Sequence, residues 1–71
     1  MRYFLACIVE QVDERTFWAR LCGIDKMVKC YLSYELFRNS TPVLVGDLVI
    51  LQYNEGLRRI KKRFYYIIKV I

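Results

Sequence analysis

TFWARLCGIDKMVKCYLSYELFRN, residues 16–39, is the stretch on which the fold turns. Its first part, Thr16–Cys22, alternates: Phe17, Ala19 and Leu21 fall on one side of an extended chain, and Thr16, Trp18 and Arg20 on the other. Gly23-Ile24-Asp25-Lys26 makes a tight turn. Met27–Leu32 then alternates again, with Val28, Cys30 and Leu32 inward, opposite Lys29 and Tyr31. A turn this short joins neighbouring antiparallel strands, so the two segments form a hairpin. Ser33 follows, a residue type that caps helix N-termini, with Leu36 and Phe37 within reach of one helical face. Ser33–Asn39 therefore reads as one to two turns of helix. Asn39-Ser40-Thr41-Pro42 ends it, because proline and the residue before it both resist helix.

Outward from this core, residues 2–12 read as a first strand, with Phe4, Ala6 and Ile8 on one face and Cys7 and Val9 on the other. Asp13-Glu14-Arg15 is a polar turn. Val43-Leu44-Val45 leads to Gly46-Asp47, a turn or bulge signal. Leu48–Tyr53 forms a fourth strand with Val49, Leu51 and Tyr53 inward, and Asn54-Glu55-Gly56 breaks it. Residues 57–63 are a basic loop, and Phe64–Ile71 is a fifth strand with Tyr66 and Ile68 inward. That phase leaves Leu48, Ile50 and Ile67 outside. Such an apolar set marks a protein partner or dimer surface unless Pro42–Val45 or the short helix covers it. Five strands with a helix between the third and fourth, in one 71-residue domain, predict an all-β OB fold, a five-stranded Greek-key barrel. An SH3-like barrel has five strands without that helix and ranks second.

The charge is local. Residues 58–71 hold Arg58, Arg59, Lys61, Lys62, Arg63 and Lys69 and no acid, whereas residues 1–57 carry six basic and seven acidic residues. The whole excess of +5 therefore comes from the C-terminal end. Such a cluster on an otherwise neutral small domain is the footprint of a surface that meets phosphates.

Other classes recede. With no histidine there is no imidazole base or conventional zinc site, so neither a metal nor another cofactor is expected. Asp13 and Glu14 are adjacent in a turn, a poor geometry for paired acid–base work, and there is no glycine-rich phosphate loop. The chain is not expected to be an enzyme. Cys7, Cys22 and Cys30 are odd in number and lack CxxC spacing, which argues against a disulfide framework. Unpaired thiols suit a reducing compartment and predict a cytoplasmic protein. The longest apolar run, Tyr3–Val9, is far short of the ~20 residues that a spanning helix needs, and Glu10 stops it, so it serves as a strand rather than a signal peptide.

Four stretches carry a family resemblance. Ala6–Val12 resembles an opening strand, Leu21-Cys22 with Lys29-Cys30-Tyr31-Leu32 a hairpin, Gly46-Asp47-Leu48-Val49-Ile50-Leu51 the start of a fourth strand, and Tyr66-Ile67-Ile68-Lys69 a closing strand. In this order and spacing they resemble the S1-like OB domain of the translation initiation factor 1 and 1A family, more closely the archaeal and eukaryotic factor 1A. The resemblance covers residues 5–70. It implies a non-catalytic RNA-binding protein of translation initiation. The implied partners are small-subunit ribosomal RNA and other initiation factors, and no membrane is involved. The family's strongly basic helix is here Ser33–Asn39, in which only Arg38 is a cation, and Tyr31 stands where the family usually has histidine. The basic cluster has moved to the loop before the last strand.

The candidate RNA-binding residues form two groups. Trp18, Arg20, Lys29 and Tyr31 share the outer face of the hairpin, where an indole can stack a base for about 1–3 kcal/mol between cations. Arg58, Arg59, Lys61, Lys62 and Arg63 repel one another and are relieved by phosphates, since Glu55 alone is too little. Arg38 is the remnant of the helix contact. Two other readings remain open: a structural or protein-interaction subunit of a larger assembly, docked through Leu48, Ile50 and the basic loop, and a general single-stranded nucleic-acid binder.

Overall fold

The alternating stretches fold as five strands and one helix in the order β1 (Arg2–Gln11), β2 (Thr16–Leu21), β3 (Met27–Leu32), α1 (Tyr34–Arg38), β4 (Leu48–Glu55) and β5 (Arg63–Val70). The structure is a computed structural model and describes residues 2–55 and 63–71, with Glu55 and Arg63 as backbone alone. The strands close into a barrel in the order β1-β2-β3-β5-β4, with β3 and β5 parallel and the other pairs antiparallel. With the helix between β3 and β4, this is the OB fold that the sequence predicts. Among the described strands closure leaves no free sheet edge, which matters for a chain of this size without disulfide support.

The inward positions of each strand meet in one core. Ala6, Ile8, Phe17, Ala19, Leu21, Val28, Cys30, Leu32, Val49, Leu51 and Ile67 are buried, joined by Val43 from the connection after α1. Phe4, Leu36, Tyr65 and Val70 pack against this cluster from its margins. Cys30 behaves as a small apolar residue here. Its Sγ–H donates to the carbonyl of Phe17 at 3.4 Å, and burial pushes its pKa up to about 12. A thiol whose pKa is raised on folding contributes stability that is present below the unfolded value and is lost as pH climbs toward the folded one. The urea midpoint of the wild-type chain therefore falls more steeply than that of Cys30→Val as pH rises from about 8 to about 11. Equal slopes would show that the thiol already meets water.

The helix is short because both its ends are capped. Ser33 is extended, and its Oγ accepts from the Leu36 N–H at 3.3 Å. At the other end, Ser40 takes φ 54°, its N–H donates to Phe37, and the Thr41 N–H donates to Leu36. These are the two bonds of a Schellman turn, with serine in the place that glycine usually takes. The Ser33 N–H also donates to the Ile67 carbonyl, which ties the helix start to β5. Gly46 seats the far end of the connection. At φ 95° it occupies the left-handed region, its N–H donates to the Ile8 carbonyl, and the Ile8 N–H donates to Asp47. The Asp47 carboxylate closes the turn by accepting from the Leu44 N–H at 2.8 Å.

Three expectations need correction. Asn54 and Glu55 do not break β4, because they pair with Phe64 and Arg63, and a ladder partner outweighs their weak strand preference. In β5 the inward residues are Tyr65, Ile67 and Val70 rather than Tyr66 and Ile68, and Ile67 is fully buried rather than outside. The parallel pairing of Tyr65 with Cys30 and of Ile67 with Leu32, both inward on β3, sets this phase, and a bulge follows it. Leu51 pairs with Ile67 and Ile50 with Lys69, so Ile68 has no opposite residue. Without the bulge, strict alternation after Ile67 would turn Lys69 into the core. With it, Lys69 points out and Val70 returns to the core side. Finally, Thr16 is not an open outer-face residue but is buried.

Candidate nucleic-acid interface

The hairpin face assembles much as its alternation predicts. Trp18 lies directly opposite Lys29, Arg20 opposite Met27, and Tyr31 opposite Thr16. Arg20 and Lys29 are exposed, while Trp18 and Tyr31 are half-buried, so the indole is not sealed inside the barrel. Directly opposed side chains on a sheet stand about 4.5–5.5 Å apart at Cβ, close enough for an ammonium and an indole to share one ligand. On its other side Trp18 pairs with exposed Glu10 of β1, a neighbour that tempers the positive potential of this face.

A groove opens where this face meets β5. It has a volume of about 590 Å³ and is lined by Asp13, Glu14, Arg15, Thr16, Tyr31, Phe64 and Tyr66. The parallel β3–β5 pairing creates it, by setting Tyr31 opposite Tyr66. Three rings meet there: Tyr31 and Phe64 at 6.0 Å between centroids, Tyr31 and Tyr66 at 6.3 Å, and Phe64 and Tyr66 at 6.0 Å. All three are half-buried and keep part of their surface toward the groove. A second cluster lies on the opposite face of the sheet, where Phe4 and Tyr65 pack against the core and Tyr53 packs on Tyr65.

The turn between β1 and β2 forms the groove's polar wall. Asp13 Oδ1 accepts from the Arg15 N–H at 2.9 Å, an Asx turn that holds the loop. That bond, helped by the Thr16 side chain, holds the Asp13 pKa below the usual carboxylate value. The Val12 and Asp13 N–H groups both donate to the Thr16 carbonyl, which tightens the turn. The Arg15 guanidinium stacks over the ring of Phe37 in α1, 4.5 Å from its centroid. The turn is thus anchored to the helix on one side and to β3 by the bond from the Leu32 N–H to the Arg15 carbonyl.

The chain matches no protein-family model, no curated protein and no solved structure. Of the residues singled out in the sequence, Trp18, Arg20, Lys29 and Tyr31 come together on one face. Arg38 is exposed in the last turn of α1, where a cation also suits the helix dipole. Arg58, Arg59, Lys61 and Lys62 lie outside the described residues, as does the side chain of Arg63. Glu55, the last described residue of β4, pairs with Arg63, one position before Phe64 of the aromatic cluster. Phe64, Tyr66 and the Asp13–Arg15 turn are not among the candidates that the sequence singles out. The signal for them is the pairing of β3 with β5 that closes an OB barrel, and a strand phase with Tyr66 inward conceals it.

Of the apolar set expected outside, Leu48 and Ile50 do face outward, opposite Cys7 and Leu5 of β1. Leu44 and Val45 remain exposed themselves. Among the described residues no helix is long and apolar enough to cross a membrane.

Proposed function

We propose that this chain is a non-catalytic RNA-binding protein that takes up an unpaired RNA segment along the β2–β3 face and the adjoining aromatic groove. The cluster of Tyr31, Phe64 and Tyr66 at the open groove is the observation that carries this reading. Exposed aromatic surface beside cations is how OB barrels hold single strands, through the β2–β3 face and the loops that flank it. Trp18 and Lys29 extend the stacking surface along the hairpin. Arg58, Arg59, Lys61 and Lys62 lie in sequence between β4 and β5, where an OB barrel has the second of those flanking loops, and with Arg63 at the start of β5 would meet the phosphates. Arg38 would add a contact from the helix.

The resemblance to initiation factor 1A directs the proposal to cytoplasmic translation initiation and to the small ribosomal subunit. Co-sedimentation with purified small subunits tests it, comparing the wild-type chain with a variant in which Arg58, Arg59, Lys61, Lys62 and Arg63 are all serine. The wild-type chain is expected in the subunit pellet and the variant in the supernatant. Binding to free single strands but not to subunits would make the protein a general single-strand binder. The outward Leu5, Leu48 and Ile50 favour one other reading, a subunit docked in a larger assembly. Protein partners recovered without RNA, through that face, would support it.

A further inference from the structure

The groove is not uniformly basic, as a surface for phosphates alone would be. Its wall carries Asp13 and Glu14, and its one described cation, Arg15, is stacked on Phe37. A carboxylate can only accept hydrogen bonds and repels phosphate, so what fits this wall is the donor edge of a base. The ring spacing narrows the ligand further. With centroids only 6.0–6.3 Å apart, Tyr31, Phe64 and Tyr66 pack on one another and leave no cage between them for a quaternary ammonium. They offer a platform on which a flat ring can stack.

The two carboxylates differ. Asp13 is held by the Arg15 N–H and the Thr16 side chain and serves the turn. Glu14 is exposed and makes no hydrogen bond or ion pair with any described residue, so its two oxygens are available.

Resting on the RNA-binding reading, we infer that this groove is a base-selective subsite: the aromatic platform stacks one unpaired base and Glu14 accepts from its Watson–Crick edge. Guanine offers two parallel donors there, N1–H and N2–H, which match a carboxylate. Adenine and cytosine each offer an amino group beside a ring nitrogen acceptor. Uracil offers one N–H between two carbonyl oxygens that repel the carboxylate. The order of preference is guanine first, adenine and cytosine next, uracil last.

Fluorescence anisotropy on four RNA nine-mers, U4-X-U4 with X as G, A, C or U, measures this directly. The guanine nine-mer is expected to bind about fivefold or more tighter than the all-uracil one, the lower range for a bidentate base contact. Glu14→Gln, an isosteric change in an exposed turn, reduces that ratio to less than about twofold while Kd for the all-uracil strand stays the same or improves. Tyr31→Ala weakens all four strands alike. Equal binding of all four nine-mers by the wild-type chain, or a guanine preference that survives in Glu14→Gln, would overturn the subsite but leave RNA binding in place. If the wild-type chain binds none of them at low salt, the RNA-binding reading and the subsite fall together.

Discussion

Ile67→Ala lowers the stability of this barrel by about 2–5 kcal/mol, and Ile68→Ala by less than about 1 kcal/mol. The two isoleucines are neighbours of identical composition, so propensity and unfolded-chain effects nearly cancel between them. What separates them is position. Ile67 is fully buried opposite Leu51, whereas Ile68 occupies the bulge, without an opposite residue and half-buried. For a chain of 71 residues the total stability is on the order of 4–10 kcal/mol, so the first substitution takes away a large part of it. Urea denaturation of the two variants reads the difference in midpoints. A larger loss from Ile68→Ala would place the strand in the opposite phase and would turn Tyr66 away from the groove.

The second large effect falls on RNA affinity. If four or five phosphates are held, log K for a single strand falls against log salt with a slope of about −3. Between about 50 and 200 mM salt that slope weakens binding by roughly 60-fold. Replacing Arg58, Arg59, Lys61, Lys62 and Arg63 with serine removes most of the slope and with it most of the low-salt affinity. Tyr31→Ala behaves differently, because stacking releases no counterions: affinity drops at every salt concentration while the slope stays. Anisotropy titrations at several salt concentrations separate the two contributions. A wild-type slope near zero would remove the phosphate-binding role of this segment.

The barrel was legible because its hairpin and helix obey local rules. In Thr16–Leu21 and Met27–Leu32 one face is apolar and the other mixed, so alternation fixes both strand and phase. Ser33 and Pro42 bracket the helix with chemistry that acts over a few residues. The fifth strand resists the same treatment. Phe64, Tyr65, Tyr66, Ile67 and Ile68 are large and apolar on both faces, so alternation carries no phase. Its register is set from outside, by Tyr65 against Cys30 and Ile67 against Leu32, and a bulge then resets it for Lys69. The candidate site divides along the same line. Trp18, Arg20, Lys29 and Tyr31 follow from one hairpin, whereas the groove joins residues about fifty positions apart through a parallel pairing that no local pattern encodes.

Backbone amide shifts during a titration of the isotope-labelled chain with a single-stranded RNA nine-mer test the central claim most directly. The expected shifts cluster at residues 13–20, at Lys29 and Tyr31, at Phe64 and Tyr66, and at the indole N–H of Trp18, while Leu5, Leu48 and Ile50 stay still. Shifts confined to the Leu5, Leu48 and Ile50 face, or none with RNA present at several hundred micromolar, would contradict it.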